Sequence, residues 1–241
     1  MGLLKLFPAS KAARDVIAAL AFVPGLLAIG VSSQASSETI VLPPPAVDIA
    51  PDDSSQLQTA VFSGGCFWGV QAVFQHVKGV RSAVSGYAGG RASDAQYETV
   101  SSGTTGHAES VEVTFDPAQI SYGQLLSVFF SVAHDPTQLN RQGPDRGTQY
   151  RSAIFTTSAD QQRVAEAYIA QLDKAQAFDA PIVTRVSPLR AFYPAEGYHQ
   201  DYATLHPNNP YIVFNDAPKL AQLQVRFADL YAAQPVLVAS K

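Results

Sequence analysis

Eight consecutive residues, Ala108–Phe115 (AESVEVTF), alternate between apolar and polar almost without a break. A strict period of two over that length reads as a β-strand. Glu109, Val111, Val113 and Phe115 share one face, and Ser110, Glu112 and Thr114 share the other. A strand that is half polar fits a sheet with one packed face and one open face. Strands of a doubly wound parallel sheet are apolar on both. On this reading Glu112 is a solvated surface charge. Glu109 is the odd residue, a carboxylate at the end of an apolar row.

The neighbouring patterns complete a fold class. Residues 59–62 are β-type and end at Gly64-Gly65; a helical stripe of Val70, Val73, Phe74 and Val77 follows and closes at Lys78-Gly79. Residues 80–87 read as a strand. Ser121 caps a helix carrying Leu125, Leu126, Phe129 and Val132. A long polar loop, residues 134–149, leads into a strand-like run over 150–156. Ser158 and Gln161 form a capping-box pattern before a helix bearing Val164, Tyr168, Ile169 and Leu172. Residues 181–186 suggest a further strand, and Asp216 with Pro218 opens a last helix. Strands and helices alternate irregularly, which favours an α+β fold in two layers, with helices packed on a mixed sheet.

The chain has 241 residues, a hydrophobic fraction of 46%, and a net charge of −4. That composition supports a real core, and the absence of a basic stripe argues against nucleic acid as a partner. Residues 1–35 read as an export signal: Lys5, Lys11 and Arg14 precede the apolar residues 16–31, and Ser33-Gln34-Ala35 offers a cleavage site. Residues 36–58, rich in Ser, Pro, Asp and Gln, read as a flexible tether. The domain is expected over residues 59–232, followed by a short tail, 233–241, in a protein exported to the periplasm. Zinc-ligand spacings, a phosphate-binding glycine loop and GxSxG are all missing from the sequence.

Cys66 is the only cysteine, so no intrachain disulfide can form. In an exported protein an odd cysteine suggests intermolecular pairing or a reactive thiol. Its place in the first turn of a helix, after two glycines, would lower its pKa through unpaired N–H groups and the helix dipole. The alternative is a small buried hydrophobe. Phe67 and Trp68 either wall a small apolar pocket or pack the core. Glu109, if buried, has a raised pKa suited to a general acid; the alternative is that the strand end lets it reach water. Asp145 and Tyr150 flank a glycine in the polar loop, and Tyr97 stands in a similar stretch. Such hydroxyls can donate to a reacting oxygen or simply edge a core. None of the five histidines, His76, His107, His134, His199 and His206, has a spacing that pairs it with Cys66.

Four motifs occur together and in order: GCFWG at 65–69, GYAGG at 86–90, GHAE at 106–109 and QGPDRGTQYRS at 142–152. In these the chain resembles the peptide methionine sulfoxide reductase A family over about residues 59–211. The resemblance implies an α/β sandwich with a ferredoxin-like core and thiol-dependent reduction of methionine-S-sulfoxide, free or in proteins. It implies that Cys66 is the nucleophile, that Phe67 and Trp68 receive the S-methyl group, and that Glu109 protonates the sulfoxide oxygen. Tyr97 and Tyr150 would hold that oxygen, and Asp145 would help position the substrate. No metal or organic cofactor is implied.

One departure stands out. Many members carry further cysteines near the C-terminus that resolve a sulfenic acid, and residues 208–219 contain none. An external thiol, from a small molecule or a thioredoxin-like protein, is therefore expected to regenerate Cys66 in a monomeric enzyme. Two other readings use the same residues: a thiol peroxidase or cysteine hydrolase, indifferent to Glu109 and Trp68, and a module that binds oxidised methionine without reducing it.

Overall fold

The computed structural model describes residues 42–50 and 56–238. The expected export signal therefore lies outside the described residues, as do 36–41 and 51–55 of the tether and 239–241 of the tail. Among the described residues no helix is long and apolar enough to cross a membrane.

In chain order the elements are β1 (Gln58–Gly64), α1 (Phe67–Gln75), β2 (Val80–Ala88), the short α2 (Tyr97–Val100), β3 (Ala108–Phe115) and α3 (Tyr122–Val128). A two-residue hairpin, β4 (Arg141–Gln142) and β5 (Asp145–Arg146), interrupts the polar loop. Then come β6 (Ser152–Thr156), α4 (Ala159–Lys174), β7 (Arg185–Pro188), β8 (Phe192–Pro194), α5 (Tyr202–Leu205) and α6 (Ala217–Arg226). A widened helical turn, Phe129–Ala133, extends α3, and another, Ile212–Asp216, leads into α6.

Six strands form one mixed sheet in the order β7-β6-β1-β3-β2-β8. Only β6 and β7 run parallel; the other pairs are antiparallel. The helices pack on one face, as the periodicity implies. Phe62 of β1 lies in that core, its ring 5.0 Å from both Phe74 and Phe129. Truncating such a buried ring to alanine typically costs about 3–5 kcal/mol.

The other face is not open. Strand β7 ends at Pro188 and β8 begins at Phe192, yet they occupy opposite edges of the sheet. So short a link requires the sheet to curl until its edges approach. The inside of the curl holds a second small core of Val61, Ala88, Ala108, Ala153 and Phe155. Ser110 is therefore buried and shares a 2.7 Å hydrogen bond with Ser63. Glu112, expected to be solvated, is half-buried, and desolvation raises its pKa.

Helix starts follow the sequence at α3, in part at α4, and not at α6, where the widened turn Ile212–Asp216 already runs into the helix and Asp216 makes no side-chain cap. Ser121 and Gln124 make the full reciprocal capping box on α3, at 3.1 and 2.9 Å. On α4 only half of the expected box forms. Ser158 Oγ accepts from Gln161 N–H, but the Gln161 side chain reaches Thr157 N–H and the Thr59 carbonyl instead.

Within the stretch expected as a tether, residues 42–50 are held against the domain. The Tyr168 hydroxyl donates to Pro43 O at 2.9 Å, and Asp48 accepts from Ser121 Oγ–H and Gly123 N–H at 2.5 and 2.9 Å. The beginning of the tail is also anchored, with Val236 N–H donating to Gln75 O at 3.0 Å.

Candidate active site

The β1–α1 turn places the cysteine. Gly65 has φ +92°, and a Cβ there would lie 2.5 Å from Gln142 Cβ, so only glycine fits. Cys66 then caps α1 from an extended conformation, φ −54° and ψ 124°. The Trp68 backbone N–H, at the helix start, lowers the cysteine's pKa as expected there. That contribution is outweighed. Burial, followed by the carboxylates of Glu109 and Asp216, holds the thiol well above its ordinary value. The activated resting thiolate expected from sequence is thus replaced by a neutral thiol.

Glu109 is 3% exposed, at the end of β3 on the packed face. Its Oε2 accepts the Phe67 N–H at 3.0 Å, one residue from the cysteine. Desolvation raises its pKa from 4.5 to about 8, against the lowering effect of that hydrogen bond. The carboxyl is protonated at neutral pH, and solvation at the strand end does not occur.

The remaining expected residues converge on this point. Phe67 is buried, with its ring 5.0 Å from His199. Trp68 is half-buried and stacks on Tyr202 at 3.8 Å. Tyr97 lies with its ring 4.4 Å from His199. Tyr97 and Tyr150 both feel the Glu109 and Cys66 charges, and burial raises both their pKa values. Asp145 accepts the Tyr211 hydroxyl at 2.5 Å, and the Tyr211 ring meets Trp68 edge-on at 5.9 Å. Cys66, Trp68, Tyr97, Asp145 and Tyr150 all keep partial exposure, which a buried structural cluster would not.

Four further positions carry the site and went unmarked in the sequence. His199 accepts from Trp68 Nε1–H at 3.2 Å and fixes the indole. Glu196 holds the Tyr87 hydroxyl at 2.8 Å and the Tyr97 backbone N–H at 2.9 Å. Tyr211 orients Asp145. Asp216, paired with Lys219 at 3.0 Å, acts on the cysteine charge. Of the other histidines, His107 and His134 are buried and hydrogen-bonded, His134 to Ser152 Oγ at 2.7 Å, with its pKa pushed down to about 4.

A neutral thiol, a neutral carboxylic acid and two hydroxyls around an aromatic wall can move an oxygen atom and its protons with little change in net charge. Among the described residues no group of three or more His, Cys, Asp or Glu could hold a metal ion.

A family profile for peptide methionine sulfoxide reductase matches residues 58–230. Peptide methionine sulfoxide reductase MsrA 2 of Mesorhizobium japonicum is 63% identical over 183 residues, covering 76% of this chain and 94% of the relative. The protein of the same name from Synechocystis is 53% identical, covering 80% and 92%. Among solved structures, reduced Mxr1 from Saccharomyces cerevisiae matches with TM-score 0.58 and 32% identity, over 65% of this chain and 90% of that one. Methionine sulfoxide reductase A of Corynebacterium diphtheriae matches with TM-score 0.56 and 35% identity, over 65% and 78%. The chain belongs to the peptide methionine sulfoxide reductase A family, oxidoreductases that reduce peptide methionine sulfoxide without a metal or organic cofactor.

Proposed function

We propose that residues 59–232 form a catalytic domain that reduces the S epimer of methionine sulfoxide, free or in proteins, through a sulfenic acid on Cys66. The observation that carries this reading is Glu109, a buried carboxylic acid hydrogen-bonded to the residue after the cysteine and protonated up to about pH 8.

Sulfoxide oxygen is a poor leaving group until it gains a proton. With the S-methyl group against Trp68 and Phe67, the oxygen faces Glu109, Tyr97 and Tyr150, and Asp145 orients the substrate. The Cys66 sulfur attacks the sulfoxide sulfur while Glu109 protonates the oxygen; the thiol proton then refills Glu109. The oxygen then passes from the substrate sulfur to the Cys66 sulfur as the bond between the two sulfurs breaks, so methionine departs and Cys66 is left as a sulfenic acid. Thiol plus sulfoxide gives sulfenic acid plus thioether, so the step balances with no further reactant.

An external thiol then attacks the sulfenic acid, releasing water and leaving a mixed disulfide. A second thiol frees Cys66 and carries away the disulfide. The lone cysteine supports this route, and a small thiol or a thioredoxin-like protein would serve. The order β6-β1-β3-β2, with α1 linking β1 to β2 and α3 between β3 and β6, supports a ferredoxin-like core. The basic and apolar residues of 1–31 support export to the periplasm, and we propose a monomer.

Intact mass measurement after turnover with limiting thiol tests the recycling. A Cys66 adduct with that thiol is expected; release of methionine with no adduct under any thiol would overturn it.

A further inference from the structure

Gly69 lies in the first turn of α1, and the space where its side chain would be is filled. A Cβ there would stand 2.0 Å from Asp216 Oδ1 and 2.7 Å from Lys219 Nζ. The glycine therefore admits a carboxylate and an ammonium, paired at 3.0 Å, to the turn that carries the cysteine. Asp216 is 1% exposed, and its Oδ2 has no hydrogen-bond partner. A buried ion pair is a poor way to stabilise a fold, and a structural carboxylate normally has both oxygens satisfied. The pair also lies in residues 208–219, the stretch with no second cysteine.

We propose that Asp216 and Lys219 are positioning residues for the nucleophile: Lys219 keeps a positive charge beside Cys66 whenever its sulfur is anionic, and Asp216 holds the ammonium in place. This rests on Cys66 being the reactive sulfur. The sulfur gives up its proton in the attack on the sulfoxide, and it carries a full negative charge when it leaves the mixed disulfide. In a one-cysteine enzyme that second moment ends every cycle, and a more stable thiolate leaves faster. Glu109 from β3, Tyr97 from α2, Tyr150 ahead of β6, Tyr211 ahead of α6 and Asp216 also act on this sulfur or feel its charge. Each is neutral or negative. Lys219 is the one cation among the described groups that act on it.

The test is the rate of Cys66 alkylation by iodoacetamide against pH, in the full chain, for wild type, Lys219→Met, Lys219→Arg, and Asp216→Asn with and without Lys219→Met. Lys219→Met is expected to move the midpoint up and to slow alkylation below it by about threefold or more, the size expected for one partly screened charge. Lys219→Arg restores the profile. Lys219→Met made in the Asp216→Asn chain shifts the midpoint less than it does in wild type, because the ammonium is no longer held at the sulfur. Urea midpoints measured in parallel identify any variant that is merely unfolded. An unchanged profile in Lys219→Met, or an equal Lys219→Met shift with and without Asp216→Asn, would overturn the proposal. Alkylation needs no sulfoxide, so such a failure leaves the reductase reading intact. Conversely, a wild type that turns over no sulfoxide overturns that reading whatever the alkylation profiles show.

Discussion

Glu109→Gln separates the two consequences of burying this acid. In the folded protein its pKa rises from 4.5 to about 8, so the fold binds the proton more tightly than the unfolded chain does. The stability this contributes is fully present below about pH 4.5 and is lost as pH rises towards 8, at about 1.4 kcal/mol for each pH step. The whole window amounts to about 5 kcal/mol. Glutamine has no such dependence and still offers an oxygen to the Phe67 N–H. Relative to wild type, the variant should therefore gain stability steadily between pH 5 and 8, about 2–4 °C in Tm for each kcal/mol in a domain of this size. Turnover should move the other way. Loss of the proton donor typically costs about 100- to 10,000-fold, and the decline of wild-type turnover above pH 8 should vanish. Thermal melts across pH, paired with single-turnover formation of methionine, check both. A Tm difference that stays constant between pH 5 and 8 would refute the burial argument, and variant turnover within threefold of wild type would refute the acid role.

Gly65→Ala puts a side chain on a left-handed turn and against Gln142, which pairs with Asp145 in the β4–β5 hairpin. We expect a loss of about 2 kcal/mol or more in urea denaturation and at least about tenfold in kcat/KM. Asp48→Ala removes two hydrogen bonds from the start of α3. Its Tm should fall by about 4–8 °C with kcat unchanged, since charged hydrogen bonds of this kind contribute about 1–3 kcal/mol. Tyr211→Phe leaves Asp145 without its 2.5 Å donor, so KM for a sulfoxide peptide should rise about fivefold or more with a smaller change in kcat.

The local rules were legible in the chain. The alternation of β3 placed Glu109 on the packed face, the glycines before Cys66 marked a strand-to-helix turn, and Ser121 marked the start of α3. The four family motifs named every residue of the pocket that lies within them. What could not be read was set by contacts distant in sequence. The curl of the sheet depends on the short β7–β8 link, and it turns Ser110 and Glu112 from surface positions into partly or wholly buried ones. His199 meets Trp68, and Tyr211 meets Asp145, across long stretches of chain, with no spacing to announce either pair. The thiol itself shows the limit of local reasoning. Helix-start physics lowers its pKa as expected, but burial and two carboxylates supplied from elsewhere in the chain raise it further.

The most direct test of the account is a single turnover without any thiol. Enzyme is mixed with excess of the S or R epimer of a methionine sulfoxide peptide, and both the methionine formed and the mass of the Cys66 peptide are measured. One equivalent of methionine per chain is expected from the S epimer alone, with an added oxygen of about 16 Da on Cys66, and neither product in Cys66→Ser. Methionine from both epimers, methionine formed by Cys66→Ser, or methionine without oxidation of Cys66 would contradict it.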